Sequence, residues 1–185
     1  MINLQFPAFP QLTTERLLLR PLHINDAEAI KELRSNKQVN EFINRSGSIT
    51  LDEAKQFISK IEAGVEKNGW FYWAISLKEQ QQLIGTICLW NTSVEKEMAE
   101  LGYELNPAFH GKGYMQEAVK AIIQFSFEQI QLKILTALPK AENLKSIQVL
   151  LKHQFTLDEN NLYVSKEDAD GMLVYYLEND IDRKT

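Results

Sequence analysis

A strand that runs through a glycine-containing turn into a helix is the feature that most constrains this chain. It occupies residues 100–118, which read Glu-Leu-Gly-Tyr-Glu-Leu-Asn-Pro-Ala-Phe-His-Gly-Lys-Gly-Tyr-Met-Gln-Glu-Ala. The strand is expected to stop at Asn106-Pro107, because proline has no N–H and restricts the residue before it. The turn contains Gly111 and Gly113, and an amphipathic pattern follows them. The chain must therefore fold so that the end of a strand and the start of a helix meet at this turn.

This junction has the chemistry of an anion site. The first N–H groups of a helix beginning at Tyr114 lack internal partners and carry the positive end of the helix dipole, which suits a diphosphate. Gly111 and Gly113 lack Cβ atoms, which lets the backbone approach an anion, and Lys112 adds a cation. Two nucleotide-binding loops do not match: GxxxxGK[ST] is absent, and GxGxxG fails because Gln116 stands at the third glycine position. The alternative is that the glycines form only a tight turn.

A second pair of polar residues, Asn143 and Ser146, begins a helix just after a predicted strand. Asn143 is suited to cap that helix, which is the alternative to a ligand role. Ser146 lies one turn further along, and its alternative role is that of an ordinary surface serine. Together with the glycine turn, the pair predicts a cofactor held between neighbouring strands, with a helix start on each side.

Apolar periodicity predicts the order β-α-α-β-β-β-α-β-α-β-β. That order indicates one mixed α/β (α+β) domain around a single sheet rather than a doubly wound repeat. The first two helices are expected to begin at capping boxes, Asn25 with Glu28 and Thr50 with Glu53. Residues 35–48 are expected to be irregular. The expected strands are residues 16–20, 70–77, 83–90, 99–105, 133–138, 155–157 and 172–177, and the two later helices are residues 114–130 and 143–153.

The composition fits one globular domain of 185 residues, with 44% hydrophobic and 24% charged residues. A net charge of −5 argues against a nucleic-acid partner, since such surfaces usually carry a basic excess. No signal peptide or membrane-spanning stretch is evident, so no membrane partner is expected. The single cysteine, Cys88, allows no internal disulfide and fits a cytoplasmic location. The three histidines show no metal-ligand spacing, so no metal is expected.

Residues 100–118 resemble motif A of the GNAT superfamily of N-acetyltransferases, whose pattern is [Gln/Arg]-x-x-Gly-x-[Gly/Ala]. Here the six positions read His-Gly-Lys-Gly-Tyr-Met, so His110 replaces Gln or Arg and Met115 replaces a small residue. The sequence of this segment is closer to the RimJ/RimL-like branch, which includes enzymes that acetylate protein N-termini, notably of ribosomal proteins such as those beginning with alanine, and others that modify small amines. Two other segments are typical of the same branch: residues 12–21 and Asn143-x-x-Ser146. The resemblance covers residues 12–177, within a single domain of residues 1–185.

The resemblance implies a GNAT-like, mostly antiparallel sheet of about seven strands, flanked by about four helices. It also implies that acetyl-CoA, the acyl donor, lies between a splayed pair of strands, one ending at Leu105 and the other starting at Lys133. The Leu105 backbone and Asn143 would bind the pantetheine arm, and backbone amides of the turn would hold the pyrophosphate. The residues implied to contact the donor are Leu105, His110, Gly111, Lys112, Gly113, Tyr114, Met115, Asn143 and Ser146.

Direct acyl transfer to an amine requires a base, because a protonated amine has no lone pair. Glu100 is preferred as that base, since the resemblance gives an acidic residue at its position, and Glu104 is second. Because side chains alternate along a strand, both carboxylates are expected on the same face of the strand, opposite the face of Leu101. A bulge in the strand would change this alternation. A free backbone N–H near Leu105 would stabilise the developing oxyanion. Ser146 is the candidate to protonate the leaving thiolate. The alternative for each carboxylate is a solvated strand residue.

The acceptor is expected to be a primary amine, either a protein N-terminal α-amine or an amine of a small molecule. An α-amine is easier to deprotonate than lysine, with a pKa of about 7.7–8.0 against about 10.4. Specificity is expected in residues 40–48 and 158–170, and one face of the aromatic residues 70–73 is a candidate acceptor wall. Three other functions remain open: a non-catalytic acyl-CoA-binding module, a nucleotide-binding protein, and a thiol enzyme using Cys88 with a histidine. Either a monomer or a homodimer is compatible with the sequence.

Overall fold

One eight-stranded sheet forms the centre of the chain in the computed structural model, which describes residues 2–45 and 47–179. Its strands are β1 (Leu12–Thr13), β2 (Leu17–Pro21), β3 (Phe71–Leu77), β4 (Leu83–Ser93), β5 (Met98–Leu105), β6 (Ile134–Ala137), β7 (Thr156–Leu157) and β8 (Tyr175–Glu178). Their order across the sheet is β1-β2-β3-β4-β5-β6-β8-β7. All neighbours are antiparallel except β5 and β6, which are parallel.

Helices cover both faces of this sheet. They are α1 (Ala27–Ser35), α2 (Lys37–Asn40), α3 (Leu51–Glu66), α4 (Tyr114–Phe125), α5 (Leu144–Lys152) and α6 (Lys166–Ala169). One core cluster joins Leu89 and Leu101 of the sheet to Ile122 of α4 and Leu150 of α5. A second cluster, on the other face, joins Cys88 and its neighbours to apolar residues of α1 and α3. Within the described residues, no helix is long and apolar enough to cross a membrane.

The predicted fold class is confirmed: the structure is mixed α/β with a mostly antiparallel sheet. It has eight strands instead of about seven, because Leu12–Thr13 pairs with β2. Six helices are present among the described residues instead of about four, because α2 and α6 are additional helices of four residues each. Residues 35–48 are therefore not wholly irregular. The Asn36 side chain caps α2 by accepting the N–H groups of Gln38 and Val39.

The predicted first capping box is wrong, whereas the second is confirmed. The ring of His23 accepts the Asn25 N–H at 3.2 Å, and Asp26 accepts the His23 N–H at 2.8 Å. These contacts cap a short 3-10 turn, so α1 begins only at Ala27. The box of Thr50 and Glu53 opens α3 as expected, with reciprocal bonds of 2.7 and 3.2 Å.

The helix predicted over residues 114–130 changes its winding before it ends. It is α-helical to Phe125 and continues as a π-helical turn over Ser126–Ile130. Gln131, with φ of 66°, stops it in the left-handed region. The chain then enters β6, which runs parallel to β5. The change of winding therefore lies between the glycine turn and β6.

Candidate functional site

A cleft opens where β5 and β6 separate. Their parallel pairing joins only Met98–Glu100 of β5 to residues 134–136 of β6. Beyond Glu100, β5 continues to Leu105 against β4 alone. The edge of β5 from Gly102 to Leu105 is therefore free of ladder pairing with β6. This separation confirms the splayed pair expected from the sequence.

The glycine turn lies at the end of this open edge. Residues 107–109 form a 3-10 turn capped by the Asn106 side chain, and α4 begins at Tyr114. Gly111 and Gly113 have φ values of 73° and 79°, a backbone conformation that favours glycine. Both glycines are exposed, and a Cβ on Gly111 would meet no atom within 4 Å. An exposed helix start with open space beside it fits a diphosphate.

The side chains of the turn bind its own backbone. The His110 ring Nε2 lies 3.0 Å from the Leu105 carbonyl oxygen, to which it donates when it carries the proton. The Lys112 ammonium donates to the Ala108 carbonyl at 3.2 Å and lies 5.4 Å from the Phe109 ring centroid. Both residues thus hold the loop between β5 and α4 in shape. His110, which stands where the family pattern has Gln or Arg, thus contacts the end of β5.

An ion-pair network that sequence reasoning missed fixes the turn from the other side. Arg16 donates to the Lys112 carbonyl at 2.9 Å and pairs with Glu117 of α4 at 2.7 Å. Glu117 also accepts the Thr14 hydroxyl, at 2.5 Å, and the Arg16 N–H, at 2.7 Å. Burial opposes ionisation of Glu117, but these hydrogen bonds and the Arg16 charge outweigh it and lower the pKa of the carboxyl group. The segment before β2 is thereby clamped to the start of α4.

The second wall of the cleft comes from α5. The Asn143 side chain caps this helix by accepting the Ser146 N–H at 3.1 Å, so the capping interpretation is confirmed. The Ser146 hydroxyl lies 2.8 Å from the hydroxyl of Tyr103, which belongs to β5. Burial raises the pKa of Tyr103 to about 12, so the phenol keeps its proton at neutral pH. The structure therefore links Ser146 to β5 through a tyrosine that the sequence had marked only as a strand residue.

The two candidate bases lie on the opposite face of β5, towards α1 and α3. Glu100 and Glu104 pair with Trp90 and Thr86 in an unbroken register, so the predicted shared face is confirmed. Glu100 accepts the Asn91 side-chain amide at 2.8 Å through one carboxylate oxygen. It lies where β5 parts from β6, next to the Trp90 side chain, which is 45% exposed. Glu100 is thus a partly exposed carboxylate at the closed end of the cleft, where β5 and β6 part.

Glu104 has a different environment. Arg45 donates to both of its oxygens, at 3.0 and 2.5 Å, and Arg34 lies 3.9 Å from one of them. Arg45 also donates to Asn40 at 2.6 Å, and Asn40 donates to the Arg34 carbonyl at 2.7 Å. This cluster holds residues 40–45 against the sheet. Those residues were expected to influence specificity, but no local pattern indicates a contact that spans 59 positions.

Other candidates are separated by the fold. Cys88 is buried, and burial raises the pKa of its thiol, which makes it a poor nucleophile. It faces α1 and α3, whereas His153 follows α5 on the other side of the sheet. Both faces of the aromatic strand contact core residues, because Phe71 lies in one cluster and Tyr72 in the other. In the part of the chain that the structure describes, no group of three His, Cys, Asp or Glu residues is placed to hold a metal.

Comparison with known proteins identifies the fold of this site. The acetyltransferase (GNAT) domain family matches residues 16–156. YnaD of Bacillus subtilis (strain 168), described as an uncharacterised N-acetyltransferase, is 32% identical over 142 residues, covering 76% of this chain and 79% of that protein. Two solved structures share the fold of this chain.

The ribosomal-protein-S5-alanine acetyltransferase of Vibrio fischeri has a TM-score of 0.77 at 23% identity, and the match covers 93% of this chain and 98% of that one. The RimJ protein of Mycobacterium smegmatis, in complex with CoA-disulfide, has a TM-score of 0.80 at 19% identity, covering 93% of this chain and 88% of that one. The family match and YnaD confirm the GNAT resemblance that the motifs predicted, and the two structures show that the fold is shared with proteins described as RimJ and as a ribosomal-protein acetyltransferase.

Proposed function

We infer the reaction of this chain from the premise that it belongs to the GNAT acetyltransferase family and is an N-acetyltransferase. We propose that it transfers an acetyl group from acetyl-CoA directly to a primary amine. The observation that carries this proposal is the free edge of β5 from Gly102 to Leu105, which starts beside Glu100 and ends at the exposed glycine turn. A thioester along that edge would have the turn at one end and a carboxylate at the other.

The residues of the turn and of α5 would hold the donor. Backbone N–H groups from Lys112 to Met115 would bind its pyrophosphate, because the first amides of α4 point along the helix axis into open space. The Leu105 backbone and the Asn143 amide would bind the pantetheine arm, with Leu105 oriented by His110. Acetyl-CoA supplies an acyl group activated as a thioester, which an unprotonated amine can attack.

Glu100 is the better candidate for the general base. Glu104 has both oxygens occupied by Arg45, whereas Glu100 is bound by Asn91 through one oxygen and lies partly exposed where β5 and β6 part. The carboxylate of Glu100 would accept the proton of the incoming ammonium, directly or through a water molecule. Glu104 then serves to anchor Arg45 and the segment that contains it.

Ser146 would return a proton to the sulfur of the leaving thiolate. Its hydroxyl lies 2.8 Å from that of Tyr103, so the two groups form a chain of exchangeable protons between α5 and β5. Tyr103 would orient the serine hydroxyl, and the raised pKa of Tyr103 keeps it available as a donor at neutral pH.

A protein N-terminal α-amine is the proposed acceptor class. Two facts support it: the low pKa of an α-amine suits a single carboxylate base, and one of the structural relatives is described as a ribosomal-protein acetyltransferase. An amine of a small molecule is the second candidate. The non-catalytic module is disfavoured by the family's enzymatic relatives.

The test is release of free CoA thiol from acetyl-CoA in the presence of peptide and small-molecule amines. Wild-type protein is expected to release thiol only with both substrates present. Glu100→Gln is expected to lower kcat/KM by a factor of about 10²–10⁴ and to move its pH–rate profile. Glu95→Gln, which removes an exposed carboxylate from the turn before β5, is the control. An unchanged rate and profile in Glu100→Gln would exclude this base.

A further inference from the structure

Two arginines share one carboxylate in the interior of the proposed acceptor side. Arg45 pairs with Glu104 at 2.5 Å, and Arg34 lies 3.9 Å from the same group. The side chains of Arg34, Arg45 and Glu104 are only 21%, 12% and 14% exposed. Among the described residues, Glu104 is the carboxylate that forms ion pairs with them, so the cluster holds two positive charges and one negative charge. This local excess stands out in a chain of net charge −5.

Arg34 is the less compensated of the two cations. Its guanidinium carbon lies 3.9 Å from the Phe57 ring centroid, so the ring supports one side of the group. Burial, and then repulsion by Arg45, lower the pKa of Arg34, and Glu104 only partly offsets these effects. A buried charge is expensive unless it is paired, and a guanidinium is suited to bind a carboxylate or phosphate with two hydrogen bonds. The cluster therefore has the charge and geometry to accept one more anion.

The cluster lies on the part of β5 whose edge is free, because Glu104 belongs to that part of the strand. Glu104 is two residues beyond Gly102 on the same face of the strand, a distance of about 7 Å. Gly102 lies beneath the Trp90 ring, whose atoms are 3.7 Å from the place of a Gly102 Cβ. The ring covers this face of Gly102, so an amine would lie beside the free edge of β5 at Gly102, between Glu100 on one side and the arginines on the other. Its own anionic group, if one or two residues away, would reach Arg34.

We propose that Arg34 and Arg45 bind an anionic group of the acceptor, a carboxylate or phosphate about 7 Å from the reacting amine. This inference rests on the proposed acetyl transfer and names its substrate class: an amine with a nearby negative charge. In a peptide acceptor, an acidic side chain at the second position meets this requirement. In a small-molecule acceptor, an amino acid with its amine and carboxylate several bonds apart meets it.

The experiment compares matched acceptors that differ in one charge. The peptides are Ala-Glu-Ala-Ala amide, Ala-Gln-Ala-Ala amide and Ala-Lys-Ala-Ala amide, and the small molecules are γ-aminobutyrate and butylamine. Their Kd values are measured calorimetrically on protein saturated with CoA, which does not permit transfer. Their kcat/KM values are measured by thiol release from acetyl-CoA. The acidic peptide, γ-aminobutyrate or both are expected to be favoured about 10-fold or more over the neutral match.

Three variants assign the preference to the cluster. Arg34→Gln is expected to reduce the ratio of acidic to neutral Kd values to near one, whereas Arg34→Lys keeps the charge and should keep most of the ratio. Lys31→Gln removes a charge from the exposed side of α1 and should leave the ratio unchanged. Thermal melts of all three establish that each variant is folded. Because the ratio compares two ligands on one protein, a partial loss of active protein does not affect it.

The outcomes separate this inference from the proposed function. Acid-selective binding without thiol release would support the anion site and refute the transferase assignment of the residues. Thiol release at equal rates with acidic and neutral acceptors would support acetyl transfer and overturn the anion site. A preference that survives in Arg34→Gln would also overturn it, as would binding of none of the anionic probes.

Discussion

Gly113→Ala and Gly171→Ala introduce the same backbone strain into two exposed turns, only one of which borders the proposed diphosphate site. Gly113 has φ of 79° and Gly171 has φ of 76°. A Cβ at Gly171 would meet no atom within 4 Å, and one at Gly113 would lie 3.4 Å from an Arg16 nitrogen, an ordinary contact. Steric crowding is thus absent or small at both positions. The pair isolates the effect of backbone conformation on ligand binding.

The expected loss of stability is similar in the two variants. An L-residue in the left-handed region costs about 1–2 kcal/mol, and the lower entropy of the unfolded alanine chain returns roughly 0.4–1 kcal/mol of this. A net loss of about 1 kcal/mol lowers the Tm by about 2–4 °C in a chain of this size. Urea or thermal unfolding of both variants measures this quantity.

The expected effect on acetyl-CoA differs between them. Relief of strain at Gly113 turns the amides of Lys112 and Tyr114 away from a bound pyrophosphate. Each hydrogen bond to a charged group contributes about 1.5–3 kcal/mol, so the Kd for CoA should rise about 10-fold or more. Gly171→Ala should leave it unchanged. Equal CoA affinity in the two variants, at equal loss of stability, would refute the role of this turn.

Three further predictions concern other contacts. Tyr103→Phe should lower kcat more than it changes the KM for acetyl-CoA. If the two hydroxyls act together, Tyr103→Phe should add little to the effect of Ser146→Ala on kcat, which steady-state kinetics of the double variant will show. Glu117→Gln should lower the free energy of unfolding by about 1 kcal/mol at neutral pH, through the loss of the Arg16 ion pair. Because the pKa of Glu117 is lowered in the folded protein, this stabilisation is present above the unfolded-state pKa and is lost as the pH falls through the folded-state pKa. The melting temperatures of wild type and variant should therefore converge in acid. Cys88 should react with iodoacetamide at least 100-fold more slowly in the native protein than in urea, because burial raises the pKa of its thiol.

The parts of this fold that sequence reasoning predicted well are those set by local periodicity. The alternation in β5, the proline that follows it and the two glycines before α4 each act within a few residues, so their consequences are visible in the chain. The capping box of Thr50 is equally local. The first capping box, Asn25 with Glu28, was predicted wrongly because the His23 side chain, an unusual cap, occupies the capping position instead of Asn25. Asp26 is held by Arg20 through two bonds of 2.7 Å, a tertiary contact that fixes a turn capped two residues before Asn25.

The acceptor side of the site was predictable only in part, because it depends on contacts between distant segments. Strand alternation did not distinguish Glu104 from Glu100, since both are acidic residues on one face of the same strand, and only the family resemblance favoured Glu100. The structure distinguishes them through Arg45, which lies in a segment that had no periodic signal and is held by Asn40. A carboxylate held by two guanidinium bonds anchors its partners, whereas Glu100, where β5 and β6 part, is bound by the Asn91 amide through one oxygen and is the one proposed as base. The different environments of two similar residues are therefore a property of the folded chain, which local sequence patterns do not contain.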